Sequence, residues 1–281
     1  MEKTITDPEN PGDTFSRQSD SYQRMAFVTS YDGRTFHGWQ RQEADRTIQG
    51  SIEDAFKKLI GISLPITGSG RTDAGVSAHG QVFHLDIPLR EKRPWTPESL
   101  LKGVNHFLPP EIRILSAAVS HRDFHARHDV ERKIYRYRLR IVHPKHPPGP
   151  LDNPFIGVFP APIDPKLLKI ASSLFVGKHD FTHFTVRKSL PPQTQRTIDT
   201  IFWEECGCDY QIWISGKGFL HMMIRFVVGA IIDVASGKRA PEEIETLLHP
   251  GSPSPVRCLH PAPPEGLSLI RVLYGKRDPF H

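Results

Sequence analysis

Between residues 68 and 80 the chain reads Gly68-Ser-Gly-Arg-Thr-Asp-Ala-Gly-Val-Ser-Ala-His-Gly, and these four glycines restrict the fold more than any other stretch. Glycine accepts positive φ and lets another segment come close. The stretch therefore reads as a loop, set between strands at Leu64–Thr67 and His79–Ile87. It is not a dinucleotide fingerprint: the third glycine of G-x-G-x-x-G would fall at Asp73, and a strand follows rather than a helix. It is not a P-loop either, because no Gly-Lys-Ser/Thr is present. Two uses stay open from the residues alone. The loop presents Arg71 and Asp73 to a ligand, or it is a tight surface turn in which the two pair with each other.

The rest of the pattern is mixed α+β. Met25–Ser30 reads as a strand. Thr47–Ile60 reads as an amphipathic helix with Thr47 as cap and Gly61 as stop. Pro97–Phe107 is a second helix and Glu111–Ser120 a further strand. A second round follows: strand Lys133–Val142, helix Pro165–Phe175, strands Thr197–Trp203 and Tyr210–Ser215, helices Phe219–Ser236 and Pro241–Leu248, and a strand near Ser268–Tyr274. Each round approximates β-α-β-β-α-β, which predicts two ferredoxin-like domains, residues 25–120 and 121–281, with mainly antiparallel sheets flanking a central cleft. Residues 1–24 are polar and read as a disordered tail outside the fold. Proline-rich connectors lie at His143–Pro162 and His249–Pro264.

Arg225 stands out because Phe219–Ser236 is apolar almost all round, as in a buried helix. A guanidinium there requires a carboxylate or an open cleft, since an unpaired buried charge costs several kcal/mol. His221, Arg225 and Gly229 fall at i, i+4 and i+8 on one stripe, and Gly229 leaves room for another backbone beside the arginine. In the strand from Arg132, the even positions Arg132, Arg136, Arg138 and Arg140 make a basic face. The odd positions Lys133, Tyr135, Tyr137, Leu139 and Ile141 make an apolar one. Core packing is the default for both tyrosines. A basic face is usually solvated, yet it also suits RNA phosphates.

A net charge of +5 and a pI near 9.1 favour a polyanionic partner. Three cysteines, two as Cys206-x-Cys208, give neither a disulfide framework nor a zinc pattern. No run of about 18 apolar residues points to a membrane span, and the N-terminus shows no apolar signal core. His179 with His183, and the group His121, His125 and His128, lack the further ligands a metal needs. Phe36 and Trp39 are read as packing, with base stacking as the alternative use.

Gly70-Arg71-Thr72-Asp73-Ala74-Gly75-Val76 with Gly80-Gln81-Val82 resembles the signature of the TruA-type tRNA pseudouridine synthases. Further blocks resemble the family in order: Tyr31-Asp-Gly, Gly38-Trp-Gln, Asp123-Phe-His-Ala-Arg127, Lys133-Ile-Tyr-Arg-Tyr137, His179-Asp-Phe-Thr, Phe219-Leu-His-Met-Met-Ile-Arg225 and Ala262-Pro-Pro-Glu-Gly-Leu267. The likeness runs from about Met25 to Tyr274. One departure is Ser77, where the family pattern usually has His.

The resemblance implies an isomerase of uridines 38–40 in the tRNA anticodon stem-loop, a cytoplasmic homodimer working without cofactor or metal. It implies Asp73 as the catalytic carboxylate, Arg225 as its partner and Tyr135 stacked on the uracil. It also implies that Arg71 fills the gap left by the displaced nucleotide. Arg136, Arg138 and Arg140 are candidate phosphate contacts. A non-catalytic RNA-binding protein, or a pseudouridine synthase for another RNA, is the alternative.

Overall fold

A computed structural model describes residues 22–89, 94–142, 149, 155–160, 162–207, 209–252 and 259–280. The first half runs β1 (Tyr22–Tyr31), α1 (Ile48–Ile60), β2 (Thr67–Gly68), β3 (Ser77–Pro88), α2 (Pro97–Phe107) and β4 (Ile112–Val119). The second half runs β5 (Arg132–Val142), β6 (Gly157–Pro160), α3 (Pro165–Leu174), β7 (Gly177–Asp180), β8 (Gln195–Ile198) and β9 (Thr200–Cys206). It closes with β10 (Asp209–Gly216), α4 (Met223–Ala235), α5 (Pro241–Leu247) and β11 (Leu267–Leu273).

A single mainly antiparallel sheet joins the two halves. Its order is β4-β1-β3-β11-β5-β10-β9, with β2 added on β3 and β6 on β5; β7 and β8 form a separate pair. The last strand, β11, lies at the centre, parallel to β3 and antiparallel to β5. Its register sets Ala78, Leu269 and Tyr135 side by side across three strands. The exit of the glycine loop and the candidate tyrosine are thereby brought onto one line of the sheet.

Local chemistry explains most of the elements. Thr47 accepts from the Gly50 N–H and starts α1; Gly61 ends it at φ 92°. Thr96 and Ser99 form a reciprocal capping box on α2. Phe27, Phe56 and Phe83 pack together where α1 covers β1 and β3.

Several expectations are corrected. Among the described residues β1 begins at Tyr22, so the last residues of the expected tail belong to β1, where Arg24 makes a bidentate bond to Asp86 on β3. Residues 1–21 lie outside those described, as do 143–148, 150–154, 161 and 253–258 within the two connectors, and Cys208. The strand expected at Leu64–Thr67 shrinks to two residues. The strand expected at Thr197–Trp203 is β8 and β9, divided at Asp199, whose N–H turns to the Ser215 carbonyl. Finally, α4 starts at Met223 rather than Phe219, because Met222 takes the left-handed conformation, φ 58°.

Candidate active site

The glycine loop is tied down on both sides of Asp73. The Ser69 N–H donates to the Val82 carbonyl at 2.7 Å, and Gln81 Nε2 donates to the Gly70 carbonyl at 2.8 Å. The Trp39 N–H donates to the Thr72 carbonyl at 3.0 Å, and the Tyr31 hydroxyl lies 2.9 Å from Thr72 Oγ1. Gly75 turns the chain at φ 82°, with Pro264 against the place a β-carbon would occupy. Ser77 is buried and accepts the Gly33 N–H at 3.1 Å, so the departure from the family pattern anchors the neighbouring loop. A carboxylate on a loop held this way is positioned before any ligand arrives.

Asp73 does not pair with Arg71. Its Oδ2 lies 3.6 Å from Arg225 Nη1, and its Oδ1 lies 3.7 Å from His221 Nε2. Both Asp73 and Arg225 are largely buried; the His221 side chain is half exposed. The Met222 N–H also faces the carboxylate. Because α4 has no side-chain cap of its own, Asp73 supplies negative charge to its N-terminus from another segment. Burial pushes the Asp73 carboxyl above its ordinary pKa, while Arg225, then His221 and the Met222 N–H pull it back. Burial is the largest of these effects.

Arg225 is itself fixed by backbone. Its Nε donates to the Ala262 carbonyl at 2.7 Å, and the Ala262 N–H returns to the Arg225 carbonyl at 2.9 Å. Gly229 permits this approach: a β-carbon there would lie 2.1 Å from the His260 carbonyl oxygen. The space expected beside Gly229 is thus filled by the segment before β11.

Tyr135 is buried, with its ring edge-on to Phe219 at 5.4 Å. Burial, then Tyr31 and Asp73, push its hydroxyl above the ordinary tyrosine pKa. Tyr137 is core: its hydroxyl donates to the Pro263 carbonyl at 2.9 Å. The other face of β5 is less open than its sequence implied. Arg140 donates to both Asp209 carboxylate oxygens, at 2.6 and 3.0 Å, and Arg138 lies 3.8 Å from the same group. Arg136 reaches His79 at 3.4 Å and lies 5.6 Å from the Trp213 ring.

Trp39 and Phe36 are buried. His179 lies on β7 and His183 in a short 3-10 turn, so they do not share a helix; each contacts a backbone carbonyl. Among the described residues no group of three or more His, Cys, Asp or Glu is arranged to hold a metal ion. No helix among them is long and apolar enough to cross a membrane.

Two groups were not assigned a part from the sequence. His221 was noticed only for its helical spacing to Arg225, yet it precedes α4 and reaches Asp73 from the turn; Ser189 Oγ lies 2.9 Å from its Nδ1. Lys133 was legible as a charge on an apolar strand face. It is buried, and its Nζ donates to the Ser69 carbonyl at 2.8 Å. Burial, then Arg127, lower its pKa to about 8.

A carboxylate held by its loop beside a guanidinium and an imidazole, with a buried tyrosine nearby, is an arrangement that can stabilise developing positive charge. A family model described as tRNA pseudouridine synthase matches residues 27–129 and 171–275. A tRNA pseudouridine synthase A of Akkermansia muciniphila is 38% identical over 264 residues, covering 89% of this chain and 95% of its own. That of Bacillus licheniformis is 36% identical over 253 residues, covering 89% and 99%. That of Rhodospirillum rubrum is 33% identical over 254 residues, covering 89% and 87%. The chain belongs to the TruA-type tRNA pseudouridine synthases and is an isomerase.

Proposed function

We propose that this enzyme isomerises uridine to pseudouridine at positions 38, 39 and/or 40 of the tRNA anticodon stem-loop, with Asp73 as its catalytic carboxylate. The observation that carries the assignment is the buried Asp73, facing Arg225 and His221 on a loop hydrogen-bonded on either side. In the reaction the N1–C1′ bond breaks, the uracil turns, and C5 bonds to C1′. The C5 proton leaves and N1 gains one, so no net oxidation or addition occurs. As a carboxylate, Asp73 either adds to C1′ or abstracts a ribose proton, and it stabilises positive charge on the ribose along both routes.

Arg225 orients Asp73 and favours its charged form. Tyr135 stacks on the uracil and assists removal of the C5 proton. Arg71, exposed on the same loop, fills the space the nucleotide leaves. Arg136, with Arg138 and Arg140 beside it, contacts the RNA backbone. Residues 25–120 and 121–281 are read as two ferredoxin-like units, a division supported by the matching strand orders β4-β1-β3-β2 and β11-β5-β10-β9. A cytoplasmic homodimer is the setting that the family resemblance implies.

Incubation with unmodified tRNA transcripts and no added cofactor, followed by carbodiimide-blocked reverse transcription, tests this. Stops at positions 38–40 are expected. Stops elsewhere, or in another RNA only, overturn the substrate assignment.

A further inference from the structure

Positive charge is answered by carboxylate on one side of this protein and left unanswered on another. Arg138 and Arg140 share Asp209. Arg71 and Arg127, by contrast, are exposed, and among the described residues neither guanidinium has a hydrogen bond or an ion pair. Tyr274 links the two segments that carry them. Its hydroxyl donates to the Ala126 carbonyl at 2.7 Å and also meets Ser69. The Ala126 N–H is held at 3.1 Å by His84 Nδ1 on β3, which fixes the backbone just before Arg127. Beneath them lies Lys133, with its ammonium on the Ser69 carbonyl and no carboxylate partner among the described residues.

These charges repel one another. Burial, then Arg71, lower the pKa of Arg127, and Arg127 adds to the burial that lowers Lys133. Three cations with no carboxylate bonded to them among the described residues oppose the free state, and a bound anion relieves them. Guanidinium groups backed by a buried ammonium suit a phosphate. Asp73, two residues from Arg71, places that anion beside the reacting nucleotide.

We propose that Arg127, in the positive field of Arg71 and Lys133, holds a backbone phosphate of the RNA next to the nucleotide that enters at Asp73. The inference rests on the RNA-modifying function proposed above. It adds a phosphate subsite on the segment between β4 and β5, apart from the basic face of β5.

The test is binding of an anticodon stem-loop RNA to wild type, Arg127→Gln and Arg127→Lys between roughly 50 and 200 mM salt, with melting temperatures taken alongside. Arg127→Gln is expected to bind more weakly, with a log K against log salt slope shallower by about 0.7–0.9, and Arg127→Lys to restore most of that slope. In turnover, KM is expected to rise more than kcat falls. An unchanged slope in a folded Arg127→Gln overturns the subsite. Competition by inorganic phosphate beyond chloride at matched ionic strength, lost in Arg127→Gln without a change in RNA slope, assigns free phosphate to the site and also overturns it. Wild-type RNA binding with no pseudouridine formed would refute the proposed function, while the same slope difference would still support the subsite.

Discussion

Asp73 Oδ2 and Arg225 Nη1 lie 3.6 Å apart, and this pair joins the loop before β3 to a helix in the other half of the chain. Arg225 is anchored in turn to Ala262, just before β11, and β11 pairs with both β3 and β5. The orientation of the carboxylate therefore depends on how α4 and the central strand dock. Changes far from Asp73 in sequence should be felt there.

Replacement of Arg225 by Met removes the larger of the two nearby positive influences on Asp73. Burial then acts with less opposition, so the carboxyl pKa rises further, and the acid limb of the kcat/KM profile moves to higher pH. The Ala262 carbonyl also loses its donor, a loss of about 1–3 kcal/mol in stability. A profile measured from acid to neutral pH checks the shift. Normal activity with an unmoved acid limb would make Arg225 purely structural.

Gly229→Ala tests the docking itself. The added β-carbon meets backbone at His260, which cannot swing aside as a side chain does. Overpacking of this kind lowers stability by about 1–3 kcal/mol. The displaced segment carries Ala262, so activity should fall more steeply than the folded fraction in denaturant melts. A variant with full stability and activity would contradict the close approach.

Lys133 predicts a pH effect of definite sign. Its folded-state pKa is near 8, set by burial first and Arg127 second, whereas an unfolded lysine titrates near about 10.4. Between those values the unfolded chain binds more protons, so stability gains with rising pH. Below that window the full penalty of the buried ammonium is present. Urea melts of wild type and Lys133→Met should show their difference moving in favour of wild type as pH climbs through the window. A pH-independent difference would mean that Lys133 keeps an ordinary pKa.

Arg140→Gln separates structural from RNA-directed charge on β5. Asp209 is buried, and losing its bidentate partner should reduce stability by about 1–3 kcal/mol. The effect should appear in melts without RNA. Unchanged stability together with weakened RNA binding would return Arg140 to the solvated face that its alternation suggested.

Where an element is bounded by its own residues, the sequence located it closely. Thr47 and Gly61 bracket α1, Thr96 and Pro97 begin α2, and the alternation along Arg132–Val142 correctly turned Tyr135 and Tyr137 inward. The misses depend on distant partners. Asp199 divides a strand because Ser215 and Arg132 hold it. The start of α4 is shifted by the turn at Met222, beside which Asp73 lies. His221 has no local signature for its approach to Asp73, and Asp209 gave no sign that it would absorb the charge of Arg138 and Arg140. Lys133 did leave a trace, as a cation on an apolar face.

The most direct measurement is single-turnover pseudouridine formation by Asp73→Asn on anticodon stem-loop tRNA, with binding measured on the same preparation. The amide keeps the shape of the side chain and removes its charge. Isomerisation should fall to background while affinity stays within about tenfold of wild type. Substantial product from the purified variant would contradict Asp73 as the catalytic carboxylate.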